Sequence, residues 1–255
     1  MAAAPTVLAV IPHPDDEVYP FGGALALAAR AGARVHVAAL TRGDAGQDRA
    51  TGLSGAALGA RREAELAESC RRLGALPPRC LGWPDGGVEG VPGEVAARAL
   101  DALLDDVAPD VVVTLGDDGA YGHADHVAAT GLVAAAVRRR DAPPTLLQAA
   151  FPRDLWAPFR DALAKRARRR ILAEPPPAVL GIAREAADVV VDIRAVADVK
   201  LAALAAHGTQ LPSGDPRAFL MPGLIDAMLA EEWFTWAAGP RPPRGATSIL
   251  AGLGA

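Results

Sequence analysis

Two short clusters carry most of the reactive side chains of this chain. HPDDE (residues 13–17) follows the apolar run TVLAVI, and GHADH (residues 122–126) comes about a hundred positions later. His13 and Asp16 are separated by two positions on a turn punctuated by Pro12 and Pro14. His123 and His126 are three apart at what reads as a helix start, so they share a face. Two imidazoles plus one carboxylate, drawn from two loops, match a catalytic zinc site that leaves one coordination position open for water. Zinc lowers the pKa of that water to about 7, and a further carboxylate beside the metal then takes up its proton. Asp15, next to a ligand but pointing elsewhere on the turn, fits that base. Glu17 reads as a support that hydrogen-bonds within the turn and holds His13 and Asp16.

Each cluster alone has an ordinary explanation. HPDDE is also what a solvated turn looks like when Asp15 or Asp16 caps the following helix. GHADH is also a helix start with Asp125 set against the macrodipole. The two together, each after a strand of one sheet, favour a metal-dependent hydrolase.

The elements that must position these clusters alternate. Strand-like runs lie at 6–11, 33–41, 79–83, 110–116, 144–151 and 188–193. Helical patterns lie at 22–32, up to about 74, 92–110, 123–140, 194–207 and about 221–238. Uninterrupted β-branched runs between Ala-rich helices predict a Rossmann-like α/β fold, a doubly wound, mostly parallel sheet with helices on both faces. In such sheets ligands bind beyond the strand C-termini where strand order reverses, commonly between the first and fourth strands. HPDDE follows the first strand and the GHADH loop the fourth, so both clusters fall on one crevice. Residues 1–255 read as a single domain, with the segment from about 175 to 255 completing the substrate pocket and the 42–55 loop shaping it.

Composition narrows the classes. With 255 residues, 51% of them hydrophobic and only 4% aromatic, the chain can bury one sizeable aliphatic core. A net charge of −4 argues against a broad nucleic-acid-binding face. Cys70 and Cys80 form no CxxC pattern and read as reduced packing residues. The N-terminal apolar stretch lacks a basic flank and reads as a first core strand rather than a signal peptide, and no apolar run is long enough to span a bilayer. A soluble cytoplasmic protein acting on a small molecule is the expectation, without a nucleic-acid or membrane partner. The oligomeric state is not legible.

HPDDE followed by GHADH resembles the LmbE-like, PIG-L-type family of metal-dependent N-deacetylases. TRGDAGQ, RREAEL with its following LG, WPDGG and KLAALAAHGTQ extend the resemblance over most of the chain. The resemblance implies the same fold and a zinc ion held by His13, Asp16 and His126, a ligand set that also tolerates ferrous iron. It implies Asp15 as the general base against an acetamide carbonyl. It implies His123 as a catalytic histidine that stabilises charge near the tetrahedral intermediate or protonates the leaving amine. Asp125 would orient and polarise a neighbouring imidazole. YGHADH resembles the branch that deacetylates N-acetylglucosaminyl-inositol in thiol-cofactor synthesis, which makes Tyr121 a residue that polarises the carbonyl. By the same resemblance, Arg62 sits at the polar end of an amino-sugar conjugate and Asp85 contacts the sugar. Gln210, with His207, reads as an edge of the pocket.

Other features read more plainly. His36, alternating with apolar neighbours, is a structural histidine. The basic runs at 138–140 and 164–170 are last helical turns rather than anion sites. TGLSGAALG (51–59) matches neither GxGxxG nor a P-loop and reads as a mobile flap. Two competing functions remain at this level: an amidase or esterase acting on another acyl group, and a non-catalytic sugar- or metal-binding protein. A nucleotide-binding Rossmann enzyme is disfavoured because the first strand leads into HPDDE and no glycine fingerprint.

Overall fold

The first apolar run forms strand β1 (Thr6–Ile11), buried along its whole length, as a strand covered on both faces must be. The computed structural model describes residues 3–166 and 171–253. Along the chain follow α1 (Gly22–Arg30), β2 (Arg34–Thr41), α2 (Gly55–Leu73), β3 (Arg79–Trp83), α3 (Gly93–Val107) and β4 (Val111–Thr114). Next come the single distorted turn α4 (Gly119–Gly122), α5 (Ala124–Arg138), β5 (Thr145–Ala150), α6 (Ala157–Lys165), β6 (Val189–Asp192), α7 (Ala197–Leu204) and β7 (Glu231–Ala238). The seven strands make one sheet in the order β3-β2-β1-β4-β5-β7-β6. The first five are parallel, and β7 runs antiparallel to both β5 and β6. Strand order reverses between β1 and β4, as the sequence predicts.

Alternate residues of each strand feed two cores. Val7, Ala9 and Ile11 pack under α1, α2 and α7 with Leu25, Leu66 and Leu204. Leu8 and Val10 face α3 and α5, where Leu100, Leu104, Val133 and Val137 close over them. Each Val, Leu or Ile side chain among them contributes about 1.5–3 kcal/mol by leaving water, so register along β1 is strongly held and with it the start of the HPDDE turn. α2 stops at Gly74, whose φ of 77° closes the helix in the left-handed region.

Residues 221–238 are not the helix that the sequence reading expects. Only a short 3-10 turn, Asp226–Met228, forms there, and the chain then becomes β7. EEWFTWAA carries β-prone aromatic and threonine residues, and Glu232 and Phe234 both point inward with period two. The inward glutamate has partners. Its carboxylate accepts the Gly23 and Ala24 N–H groups at 2.8 and 2.6 Å, capping the start of α1, and pairs with buried Lys200 at 2.8 Å. The C-terminal strand is thereby tied to the helix that follows HPDDE. Between β5 and β6 the sequence reading places only a last helical turn, at the basic run 164–170, where α6 forms.

The expected flap is corrected in part: residues 55–59 are the first turn of α2, and only 51–54 remain exposed irregular chain. Arg139 and Arg140 pair with Asp101 and Asp105 on the surface, and residues 167–170 of the other basic run lie outside the described residues. Cys70 and Cys80 are both free thiols. Among the described residues no helix is long and apolar enough to cross a membrane.

Candidate active site

The HPDDE turn leaves β1 with a hydrogen-bonded geometry of its own. The Asp16 and Val18 N–H groups donate to the His13 and Asp15 carbonyls at 3.2 Å each. Asp15 takes φ of 112°, an unusual backbone for a residue with a side chain. Glu17 holds it there by accepting the Asp15 N–H at 3.0 Å through Oε2. Its other oxygen, Oε1, accepts from Ser69 Oγ at 2.5 Å and lies 2.6 Å from His207 Nε2. Glu17, Ser69 and His207 are all fully buried. The support role read for Glu17 is therefore placed on Asp15. His207 lies beneath the turn rather than at the edge of the pocket.

The second loop leaves β4 through α4. Gly119 has φ of 57°, and a Cβ there would sit 3.0 Å from that of His126. Ala120 also takes positive φ, and Asp118 holds the bend by accepting the Ala120 and Gly181 N–H groups at 2.9 and 2.7 Å. α5 then begins with His123 as its cap, its Nδ1 accepting the Asp125 N–H at 3.1 Å. That contact leaves Nε2 of neutral His123 to carry the proton.

The two loops converge. Asp16 Oδ2 lies 3.1 Å from His13 Nδ1 and 3.4 Å from His126 Nε2. One donor atom from each of these three buried residues falls within 4.8 Å of the others. A second combination, His13, His123 and Asp125, meets the same distance test. The first has the better chemistry for a divalent cation. The Gly119 carbonyl stands 3.2 Å from His126 Nδ1 and accepts its N–H, leaving the lone pair of Nε2 toward Asp16. Burial, joined by the positive His13, pushes His126 down to about 4, so it is neutral and able to donate its lone pair. Asp16 is pushed up by burial, but His126 and His13 reverse this and hold it well below the usual carboxylate range. His13 is driven down by burial and back up, well above its ordinary value, by hydrogen bonds to Asp125, Asp16 and Asp85. Such a concentration of carboxylate around one imidazole suits a bound cation. Thus His13, Asp16 and His126 fit a metal of the zinc type, with an imidazole–imidazole–carboxylate donor set.

Asp125 completes this arrangement from behind. Its Oδ2 stands 3.1 Å from His13 Nε2 and accepts the Gly86 N–H at 2.7 Å, while Oδ1 accepts the Val88 N–H at 3.0 Å. The imidazole it orients is that of His13; toward His123 it offers only its backbone N–H. This is the carboxylate–histidine contact that commonly fixes a metal-binding imidazole.

Asp15 stays outside the donor triad. Its carboxylate is 3.1 Å from Arg62 Nη2. Burial, with Asp16 adding to it against the pull of Arg62, pushes its pKa up to about 7. Arg62 is itself buried and donates to the Gly43 and Pro14 carbonyls at 2.8 and 2.6 Å. Its guanidinium fills the space a Cβ on Gly43 would need. It grips the Asp15 turn while also lining the cavity.

A cavity of about 350 Å³ opens over these groups, lined among others by Asp15, Tyr121, His123, Asp85 and Gln210. Asp85 stands 3.2 Å from His13 Nε2 and accepts the Ala45 N–H at 2.7 Å. Gln210 Nε2 donates to Thr209 Oγ1 and the Gln47 carbonyl at 3.1 and 3.3 Å. Tyr121 packs edge-on to His123 and His126, with ring centroids 5.8 and 5.4 Å away. Ala45, Gln47 and Arg49 of the 42–55 loop, and Phe219 and Leu220 of the C-terminal segment, supply further wall. His36 is not part of it. The sequence reading missed Tyr19, Ile171, Phe219 and Leu220, apolar or aromatic residues with no motif to mark them. It also missed Glu65, which anchors the 207–210 segment by accepting the Thr209 N–H and hydroxyl at 3.1 and 2.7 Å.

Known proteins share this architecture. Residues 8–137 match the family model described as PIG-L, GlcNAc-PI de-N-acetylase. The 1D-myo-inositol 2-acetamido-2-deoxy-alpha-D-glucopyranoside deacetylase of Saccharomonospora viridis is 34% identical, covering 97% of this chain and 100% of its own. The enzyme of the same name from Mycolicibacterium smegmatis is 33% identical over 98% of this chain and 97% of its own. The solved structure of N,N'-diacetylchitobiose deacetylase from Pyrococcus horikoshii superposes with a TM-score of 0.61 at 25% identity, over 91% of this chain and 84% of that one. On its motifs, its fold and these relatives together, the chain belongs to the PIG-L, LmbE-like family of de-N-acetylases.

Proposed function

We propose that this chain is a metal-dependent N-deacetylase that hydrolyses the acetamide of an N-acetylglucosaminyl-type conjugate, with zinc as its ion and ferrous iron as a tolerated substitute. The substrate class follows the two relatives named as deacetylases of an N-acetylglucosaminyl-inositol. The observation that carries the reading is the carboxylate of Asp15, held by Arg62 beside but outside the convergent donors of His13, Asp16 and His126. A binding protein needs the donors and has no use for the base.

His13, Asp16 and His126 would hold the ion, which when bound supplies Lewis acidity and an acidified water. Asp15 takes the proton released as water attacks the acetamide carbon; its pKa near 7 suits a group that must accept and return a proton at neutral pH. Tyr121 donates to the carbonyl oxygen as negative charge grows there. Neutral His123 offers a proton at Nε2 on the same side of the cavity, toward the oxygen or the leaving amine. The C–N bond breaks, acetate keeps the water oxygen, and the amine leaves with a proton. Arg62 keeps Asp15 in place, Asp125 keeps His13 in place, and Asp85 and Gln210 offer hydrogen bonds to sugar hydroxyls. Residues 1–255 act as one domain, and the ligand is a small molecule.

The test is amine release from N-acetylglucosaminyl-inositol and from N-acetylglucosaminyl conjugates with other aglycones, after chelation and after zinc or ferrous iron is returned. Close to one ion per chain, and turnover lost on chelation and restored by the ion, are expected. No amine release from the metal-loaded protein on any conjugate, or faster hydrolysis of O-acetyl esters, would overturn the assignment.

A further inference from the structure

The chain has two tyrosines, Tyr19 and Tyr121, and both line the cavity above the metal-binding residues. Tyr121 is accounted for; Tyr19 is not. Its side chain is buried, with 2% of its surface exposed, and its hydroxyl, which lies near the Asp16 carboxylate, makes no well-formed hydrogen bond. A buried O–H without a well-formed hydrogen bond destabilises a fold, so such a group at a cavity wall calls for a use outside folding.

The fold holds the residue firmly from both ends. The ring stacks on Phe151 at 6.0 Å between centroids and meets Trp156 edge-on at 5.3 Å and Phe219 at 6.1 Å. The Tyr19 carbonyl accepts a hydrogen bond at 3.0 Å from buried Lys200, which is itself paired with Glu232. The phenol is therefore presented on a rigid support among Asp15, Asp16 and Tyr121. A phenol O–H that faces a developing oxyanion acts as the donor.

We propose that Tyr19 is a second catalytic hydrogen-bond donor, its hydroxyl meeting the acyl oxygen of the substrate together with Tyr121. The inference rests on the deacetylase reading above. An acetyl group presented to Asp15 and the metal-binding residues brings its oxygen among these groups, and its methyl meets the apolar wall that Phe219 and the Tyr19 ring provide. The phenol O–H bond is not broken. The hydrogen bond strengthens as the carbonyl oxygen becomes an oxyanion and relaxes when acetate leaves, so its effect falls on the transition state rather than on substrate binding.

Tyr19→Phe tests this, because it keeps the packed ring and removes only the unpaired hydroxyl. Expected is a fall in kcat of about 100-fold, the lower range for loss of one oxyanion donor, with KM within about threefold of the parent, as for an interaction made only in the transition state. Two further readouts do not depend on turnover. Zinc affinity, by titration against a chromophoric chelator, should stay within about twofold. The metal-free variant should melt no lower than the parent, since no hydrogen bond within the fold is lost. Unchanged kcat would overturn the proposal. So would a loss of activity matched by a loss of zinc affinity, which would show that the hydroxyl serves Asp16 instead. A lower melting temperature in the metal-free state would also overturn it, showing the hydroxyl to be paired within the fold. The parent protein in the same assay separates the two inferences: an inactive zinc-loaded parent defeats the deacetylase reading, whereas an active parent with an equally active Tyr19→Phe defeats only the role of Tyr19.

Discussion

Asp125→Asn is a near-isosteric change that the site cannot accommodate silently. Three donors converge on this carboxylate: the Gly86 N–H at 2.7 Å and His13 Nε2 at 3.1 Å on Oδ2, and the Val88 N–H at 3.0 Å on Oδ1. A carboxylate only accepts, so all three are satisfied. An amide accepts on one side and donates on the other. With its oxygen in the Oδ1 position, its NH2 group faces both Gly86 N–H and His13 Nε2–H. Turned round, its NH2 faces the Val88 N–H, which is the less costly choice. One buried donor then loses its partner, a cost of about 1–3 kcal/mol, or a fall of roughly 2–12 °C in Tm for a chain of this size. His13 also exchanges a charged acceptor for a neutral one, a hydrogen bond about half as strong. The imidazole becomes less basic and less firmly oriented, and loss of such a supporting carboxylate typically lowers metal affinity by about 10–100-fold. The assay pairs thermal melting of the metal-free protein with zinc titration by chelator competition. A variant that keeps zinc affinity within twofold of the parent would refute the argument that Asp125 acts through His13.

Other substitutions separate the remaining roles. Asp15→Asn should retain its metal and lose about 10²–10⁴-fold in turnover, whereas Asp16→Ala should fail to hold the ion; metal analysis showing the reverse pattern would exchange the two assignments. His207→Gln should narrow the pH range of stability. Burial depresses His207, but Glu17 more than reverses this and raises its pKa, so that contribution is full below about 6.5 and fades as pH climbs through the raised value. Glu17 is pushed up by burial and brought below about 4.5 chiefly by His207, so its contribution is present above that pH and fades as pH falls through the lowered value. Melting curves should therefore show the largest gap between parent and variant between about pH 4.5 and 6.5; a gap independent of pH would count against the pair. His36→Gln, at a half-buried histidine away from the cavity whose Nε2 lacks a partner, should change Tm more than kcat. A selective loss of turnover on N-acetylglucosaminyl-inositol would show that His36 reaches the site.

How much of this was legible in the residues themselves depends on whether the signal is local. β1 and β4 are continuous β-branched runs, HPDDE and GHADH directly follow those strands, and the reversal of strand order then brings the two loops together. Glu231–Ala238 was read wrongly because its neighbours in sequence favour a helix. It becomes a strand by filling the gap between β5 and β6, where each inward side chain finds cover. The same limit applies within the site. Residue types and spacing offered His13, Asp16, His123 and His126 as candidate donors and Asp15 as a candidate base, and the family resemblance narrowed the donors to His13, Asp16 and His126.

Nothing local says that Asp125 turns to His13 rather than His123, that Arg62 grips Asp15, or that Glu17 reaches His207 across 190 positions. Chemical identity and short-range periodicity are written residue by residue, so the amino-acid sequence alone determined the layered α/β architecture, the two reactive loops and the candidate donors they carry. Which partner each buried polar group finds depends on the three-dimensional packing of distant segments. Only the tertiary structure therefore decided the tautomers, the orientation of the base, the aromatic wall and the unpaired hydroxyl of Tyr19.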